Sequence, residues 1–367
     1  MDLLEVRGAP NDYVCESGVI QHLEPFLKRY GFTKAFVICG QRSWNAVEPY
    51  FPKDRTLSYS FFRYHGECSL SEIERLSSHC IDYDVIIGIG GGKVLDLAKA
   101  VANQVRLDVV LIPTLASTCA AWTPLSVIYD DNGTYVRYDI FPKSATFVLV
   151  DPNMLLHSPV AYLRAGIADT LAKWYEADCI IRQLPCPPLS IKIAHQTAYL
   201  CKTTLLEHGP KAINDLLEKR DSFSFRQVIE TNIMAGGMVG GFGDRYGRVA
   251  GAHSVHNGLT KVSSTHHLLH GEKVAYGILI QLVIENNWDE IHRLLPFYQA
   301  LQLPFTFQQL GLPNEKEVLH TIAEAIVQPE ESIHLMNVPI NKETMVEAFY
   351  QLEEFASNYK NKERHAL

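Results

Sequence analysis

A buried strand that runs straight into bare backbone limits what this chain can build. In Asp84-Val-Ile-Ile-Gly-Ile-Gly-Gly-Gly-Lys-Val-Leu-Asp96 a β-branched run stops at Gly88. Glycine recurs at Gly90, Gly91 and Gly92, and Lys93 opens a stretch with helical spacing. Glycines allow close approach to a ligand and backbone conformations with positive φ. The free N–H groups of the following helix then face an anion, with the helix dipole behind them. A cofactor carrying a diphosphate is the first expectation, and a tight strand–helix connection without a ligand is the competing one. Neither common phosphate signature fits, because GxGxxG fails at Lys93 and Leu95 and no second glycine precedes a Lys-Ser/Thr pair.

The flanking segments set the fold. Residues 34–39, 57–62, 109–113 and 147–150 have the texture of buried strands, with helical runs at 20–30, 71–79 and 94–103 between them. Such alternation predicts a Rossmann-like α/β unit with a parallel sheet. Residues 126–129 and 135–138 predict a hairpin turning at Asn132-Gly133. Beyond residue 157 only helical periodicity remains, at 160–181, 188–207, 222–240, 247–259, 271–287, 289–302, 315–326 and 342–358. The expected organisation is an α/β dinucleotide-binding domain over 1–157, then an all-α domain over 158–367 that holds metal and substrate. In open sheets ligands bind at the carboxyl ends of the strands, which places Thr114, Ser117 and Thr118 beside the glycine turn. Capping of local turns is the other use such hydroxyls have.

Composition removes several partners. Charged residues make up 20% of the chain and the net charge is -8, unlike the basic footprint of a nucleic-acid binder. No apolar run is long enough to span a membrane, and the first residues lack the pattern of a signal peptide. Eight cysteines without a CxxC pair read as reduced thiols, so a cytoplasmic location is expected.

Five histidines fall within Ala252-His-Ser-Val-His-Asn-Gly258 and Thr265-His-His-Leu-Leu-His-Gly-Glu-Lys273. Neutral imidazoles with a carboxylate suit a divalent cation. His253 and His270 could converge from two helices, and Asp169 sits in an otherwise apolar helical stretch where a carboxylate needs a partner. Two histidines and one aspartate leave a coordination position free, the layout of a catalytic metal site. A hydrogen-bonded polar cluster without metal is the alternative.

Together these motifs resemble the glycerol dehydrogenase branch of the metal-dependent, iron-containing type alcohol dehydrogenases. The resemblance rests on Gly90-Gly-Gly-Lys with Asp96, Pro113-Thr-Leu-Ala-Ser-Thr118, Gly166-Ile-Ala-Asp169, Glu176-Ala177, His253-Ser-Val-His-Asn-Gly258 and His270-Gly-Glu-Lys273. It implies a cleft between a dinucleotide domain and a helical metal domain. It implies Asp169, His253 and His270 as metal ligands, and Gly90, Gly91, Gly92, Lys93 and Asp96 at the diphosphate. Thr114, Ser117, Thr123, Leu125 and Tyr129 would contact the rest of the cofactor. Iron-type members carry a further histidine where this chain has Lys173, which favours one zinc ion. Such an ion would polarise the C–O group that exchanges hydride with nicotinamide. His256 is a candidate proton relay by position. A homo-oligomer acting on a small molecule is implied.

Three departures refine the expectation. Gly40 replaces the aspartate that bonds the adenine ribose in glycerol dehydrogenases, and Arg42 lies beside it. Losing a carboxylate and gaining a cation suits a 2′-phosphate, so NADP(H) is favoured over NAD(H). Cys119 replaces an aspartate that helps bind glycerol, and Arg245 stands where those enzymes have glutamate. Both changes favour a substrate with its own carboxylate. Thr118-Cys-Ala-Ala-Trp122, Asp169-Thr-Leu-Ala-Lys173 and Glu331-Ser-Ile-His334 are similar to the hydroxycarboxylate dehydrogenase subgroup. The implied reaction interconverts a small hydroxy acid and its 2-oxo acid. A glycerol or other polyol dehydrogenase is the rival, and a dehydroquinate synthase-like cyclase the more distant one.

Overall fold

The β-branched runs form a sheet of six parallel strands in a computed structural model that describes residues 3–366. The strands are β1 (Asp12–Cys15), β2 (Lys34–Cys39), β3 (Ser58–Arg63), β4 (Val85–Gly90), β5 (Asp108–Pro113) and β8 (Phe147–Val150). Their order is β1-β8-β5-β4-β2-β3. Helices α1 (Leu23–Arg29), α2 (Gln41–Val47), α3 (Leu70–Ser77) and α4 (Gly92–Val105) connect the earlier strands. The chain runs from β2 outward to β3, then back past β2 to β4. The order therefore reverses between β2 and β4, which is where open α/β sheets bind ligands. Strand β4 is buried along its whole length, as its uninterrupted apolar sequence requires.

The expected hairpin is present as β6 (Leu125–Tyr129) and β7 (Tyr135–Ile140), antiparallel, with Gly133 at φ 84° in its turn. In the sheet region the sequence reading missed β1 and α2. Strand β1 is short and half-buried, and in the sheet it pairs only with β8. Helix α2 follows Gly40 directly and buries only Val47, so it carries little apolar period.

After β8 the described residues form helices only. In order they are α5 (Pro152–Leu155), α6 (Val160–Ile181), α7 (Leu189–Leu217), α8 (Phe223–Glu230), α9 (Gly236–Gly243), α10 (Gly251–Leu259) and α11 (His270–Ile284). Then come α12 (Trp288–Leu301), α13 (Phe307–Leu310), α14 (Lys316–Ile326) and α15 (Lys342–Ala366). Periodicity predicts a single helix over 222–240, but Thr231–Ala235 forms one π-helical turn within it. That turn presents the buried Asn232, whose amide donates to the Ala116 carbonyl at 2.9 Å. Gly166 of α6 meets the same loop, and a Cβ there would lie 2.2 Å from the Ala116 oxygen. Trp122 donates from Nε1 to the Gly8 carbonyl at 2.7 Å. The loop after β5 is thus clamped against the helical region.

Candidate active site

Of the two uses the sequence offered for the glycines of the turn, positive φ is not taken up. Gly88, Gly90, Gly91 and Gly92 all have ordinary negative φ, and Gly91 caps α4 in extended geometry. Their value is closeness. A Cβ on Gly88 would sit 2.6 Å from that of Ala98, and one on Gly90 2.6 Å from that of Val94. Strand β4 and helix α4 therefore pack tightly enough to bring the helix N-terminus to the carboxyl edge of the sheet. Thr118 lies over Gly92, with Oγ1 3.3 Å from where a Cβ would be. Thr114 is buried at the end of β5, and its N–H bonds the Gly90 carbonyl at 3.0 Å. Ser117 and Thr123 are half-buried on the same loop. Gly40 ends β2, one strand over, with its N–H bonded to Ser43 Oγ at 2.9 Å. Arg42 is exposed beside it, and Arg63, from the end of β3, donates to the Gly40 carbonyl at 3.3 Å.

Two residues expected at the cofactor have other partners. Lys93 pairs with Glu67 at 2.6 Å and lies over the ring of Tyr129, so its ammonium is already engaged. Asp96 is buried, pairs with Lys99 at 2.9 Å and accepts the Val127 N–H at 3.1 Å. It ties α4 to β6 and does not face the turn. Lys99 is a residue the sequence reading missed. Besides Asp96, its ammonium donates to the carbonyls of Ala120 (2.7 Å), Thr123 (3.0 Å) and Leu125. It fixes the loop on which the candidate cofactor contacts Thr123 and Leu125 lie.

The three residues expected as metal ligands come together. Asp169 comes from the middle of α6, His253 from the first turn of α10, and His270 from the first residue of α11. The loop joining the last two is held by the buried Thr265, whose hydroxyl bonds the carbonyls of Leu259 (2.6 Å) and Val262 (2.9 Å). Gly271 lets α11 begin against α6, since a Cβ there would stand 1.8 Å from the Ala165 oxygen. Asp169 Oδ1 lies 3.4 Å from His253 Nε2 and 3.2 Å from His270 Nε2. One ligand atom from each residue falls within 4.8 Å of the others. Oδ1 is buried and has no hydrogen-bond partner, a costly state for a carboxylate unless a cation completes it. Burial opposes the charge on Asp169, but the two imidazoles outweigh it and hold the carboxyl well below its usual range. The His253 side chain is 12% exposed and that of His270 46%, so the cluster opens to the cleft on the His270 side.

Behind His253 stands Glu176, which the sequence reading left without a role. It lies seven residues after Asp169, two turns along the same face of α6. Its Oε1 accepts the backbone N–H groups of Ala250 (2.7 Å) and His253 (2.9 Å), and Oε2 takes His253 Nδ1 at 2.7 Å. The proton of His253 is thereby fixed on Nδ1, which leaves the Nε2 lone pair for a metal. His270 Nδ1 bonds His256 Nε2 at 2.9 Å, and His256 Nδ1 bonds Asn257 Oδ1 at 3.0 Å. His256 is thus one hydrogen bond from the cluster. Burial and its imidazole neighbours push it well below its ordinary value, so it stands neutral. His266 and His267 are exposed and bond loop carbonyls.

The two expected substrate residues have different neighbours. Cys119 is a half-buried free thiol close enough to Lys173 and Asp169 to feel their charges. Arg245 is exposed, with its guanidinium 5.0 Å over the ring of Tyr246.

The chain thus carries a glycine turn at the carboxyl edge of a parallel sheet and a cluster of two histidines and an aspartate on helices. Residues 10–152 match the model of the iron-containing alcohol dehydrogenases. The chain is 40% identical over 356 residues to hydroxycarboxylate dehydrogenase A of Escherichia coli K12, covering 96% of this chain and 98% of that one. It is 36% identical over 361 residues to glycerol dehydrogenase of Thermotoga maritima, with the same two coverages. The crystal structure of glycerol dehydrogenase from Schizosaccharomyces pombe superposes with a TM-score of 0.88 at 30% identity, over 98% of this chain and 93% of that one. The chain belongs to the iron-containing alcohol dehydrogenase family. It is an oxidoreductase acting on a CH–OH group, and its relatives include both hydroxycarboxylate and glycerol dehydrogenases.

Proposed function

We propose that this enzyme reduces a small 2-oxo acid to the 2-hydroxy acid, using NADPH and a divalent ion, zinc, held by Asp169, His253 and His270. The observation that carries the metal is the buried Asp169 Oδ1, which lacks a hydrogen-bond partner and lies between two imidazole Nε2 atoms. When bound, such an ion supplies Lewis-acid polarisation of the substrate carbonyl. The chain's own residues do the rest. Glu176 fixes the tautomer of His253. His256, neutral and bonded to His270, is placed to hold or pass a proton at Nε2. The helix α4 N-terminus, with Thr114, Ser117, Thr123 and Tyr129 nearby, would seat the dinucleotide.

The 2-oxo acid reading is supported by the similarity to a hydroxycarboxylate dehydrogenase and by Cys119, which adds no negative charge to the cleft. The likeness to glycerol dehydrogenases favours a polyol as the second reading. NADP(H) is supported by Gly40 at the end of β2, with Arg42 beside it and Arg63 close by. A homo-oligomer in the cytoplasm is part of the same proposal. Eight free thiols suit a reducing compartment, and none of the described helices is long and apolar enough to cross a membrane. Initial rates with NADPH and NADH over 2-oxo acids and polyols test the reading. Preference for NADPH with 2-oxobutyrate is expected, with Arg42→Ala raising KM for NADPH by about tenfold, the worth of one charge-assisted contact. Glycerol oxidation with NAD and no turnover of 2-oxo acids would overturn it.

A further inference from the structure

A lysine stands close enough to the Asp169 cluster to interact with its charge. Lys173 lies four residues after Asp169 on α6, one turn further along the same face. Its ammonium donates to the Arg248 carbonyl at 3.1 Å, its only hydrogen bond among the described residues, and it forms no ion pair among them. An ammonium has three protons to place, so two N–H directions remain without a protein acceptor. Arg248 itself is turned to Asp244 at 3.3 Å. Burial works against the charge of Lys173, but the carboxylates of Asp169 and Glu176 favour it and raise its pKa. Burial also keeps the Cys119 thiol in its neutral form.

The balance of charge around the cluster has a consequence. Asp169 and Glu176 each carry one negative charge, and Lys173 carries one positive charge. A divalent ion on the cluster leaves the loaded cleft with a single net positive charge. With a neutral side chain at 173 the loaded cleft would carry no net charge, which suits a polyol. With lysine it suits an anion. The spacing agrees. In a 2-oxo acid the carbonyl and the carboxylate occupy neighbouring carbons, so their partners must lie within a few ångströms of each other. Residues four apart on a helix face have Cβ atoms about 5–6 Å apart.

We propose that Lys173 anchors the substrate carboxylate, through the N–H groups not used by Arg248, while the substrate carbonyl faces Asp169, His253 and His270. This assignment rests on the 2-oxo acid reading above and gives that reading its specificity residue.

The test compares 2-oxobutyrate with 1-hydroxy-2-butanone, the same carbon skeleton with the carboxylate exchanged for CH2OH. Zinc content is measured in every variant. In Lys173→Met the ratio of kcat/KM for the acid over the neutral ketone should fall by about 30- to 100-fold, the range for a hydrogen bond to a charged group. Lys173→Arg should recover most of the ratio. Calorimetric titration with 2-hydroxybutyrate and with 1,2-butanediol gives a readout independent of turnover, and only binding of the acid should weaken. Lys173→Gln takes the place of the methionine variant if that protein does not fold. A ratio within threefold of wild type, or acid binding unchanged at full zinc occupancy, overturns the assignment. Wild-type enzyme that fails to reduce 2-oxobutyrate overturns the substrate reading itself, so the two failures are distinguishable.

Discussion

Glu176→Gln probes the site by moving a single proton. In the structure both backbone N–H groups, from Ala250 and His253, converge on Glu176 Oε1, while Oε2 faces His253 Nδ1 at 2.7 Å. A glutamine must keep its carbonyl oxygen at the two backbone donors, because an NH2 group there would oppose both. Its NH2 then points at Nδ1. His253 can satisfy it only by accepting at Nδ1 and carrying its proton on Nε2, the atom 3.4 Å from Asp169 Oδ1. A protonated Nε2 cannot ligate a metal. Forcing the ligating tautomer back sets donor against donor in a buried site, at a cost of about 1–3 kcal/mol. That is roughly 5- to 150-fold in metal affinity. Competition against a chromogenic zinc chelator reads the affinity, with circular dichroism and melting temperature as folding controls. Zinc affinity within twofold of wild type, in a variant that folds normally, would refute the tautomer argument.

Three further perturbations follow from the packing. Gly271→Ala places a Cβ against the Ala165 carbonyl and must displace the start of α11, which carries His270. Zinc affinity is expected to drop at least about tenfold, and the same chelator competition measures it. Lys99→Met leaves the Asp96 carboxylate buried without its cation and frees three loop carbonyls. A loss of about 3–5 kcal/mol is expected, read as a lower midpoint of urea unfolding, and a loss under about 1 kcal/mol contradicts the role given to Lys99. The Asp215 carboxyl is buried, which alone raises its pKa, but hydrogen bonds from Lys211, Ser222 and Arg220 bring it down to about 2. With an unfolded value near 3.9, its contribution of about 2.5 kcal/mol is complete above about pH 4 and is lost as pH falls towards 2. Asp215→Asn should therefore be less stable than wild type at pH 6, with the gap closing by pH 2 in matched denaturant titrations.

Much of this was legible in the sequence because the physics is local. Val85–Gly90 has no polar side chain and must be buried on both faces, so a parallel sheet follows from composition alone. Asp169 stood out because a carboxylate in an apolar helix needs a cation, and the histidine cluster offered a way to hold one. Other features depend on what lies across the contact. Glu176 is two turns from Asp169 on α6, but its role appears only when α10 brings the Ala250 and His253 N–H groups to it. Lys99 and Asp96 are three apart on α4, yet their function lies in a loop more than twenty residues on. The glycines of the turn were read as serving close approach and positive φ, and at Gly88, Gly90, Gly91 and Gly92 the structure shows close packing without positive φ. Strand β1 and helix α2 escaped because neither buries enough side chain to leave a period.

The most direct measurement is a titration of metal-free protein with zinc, following NADPH-dependent reduction of 2-oxobutyrate at each addition. Activity should rise linearly and break at one zinc per chain, as one cluster of Asp169, His253 and His270 requires, and Asp169→Ala should show no such rise. Metal-free protein that retains the full rate, or Asp169→Ala that titrates as wild type does, would contradict the assignment of this cluster as the catalytic centre.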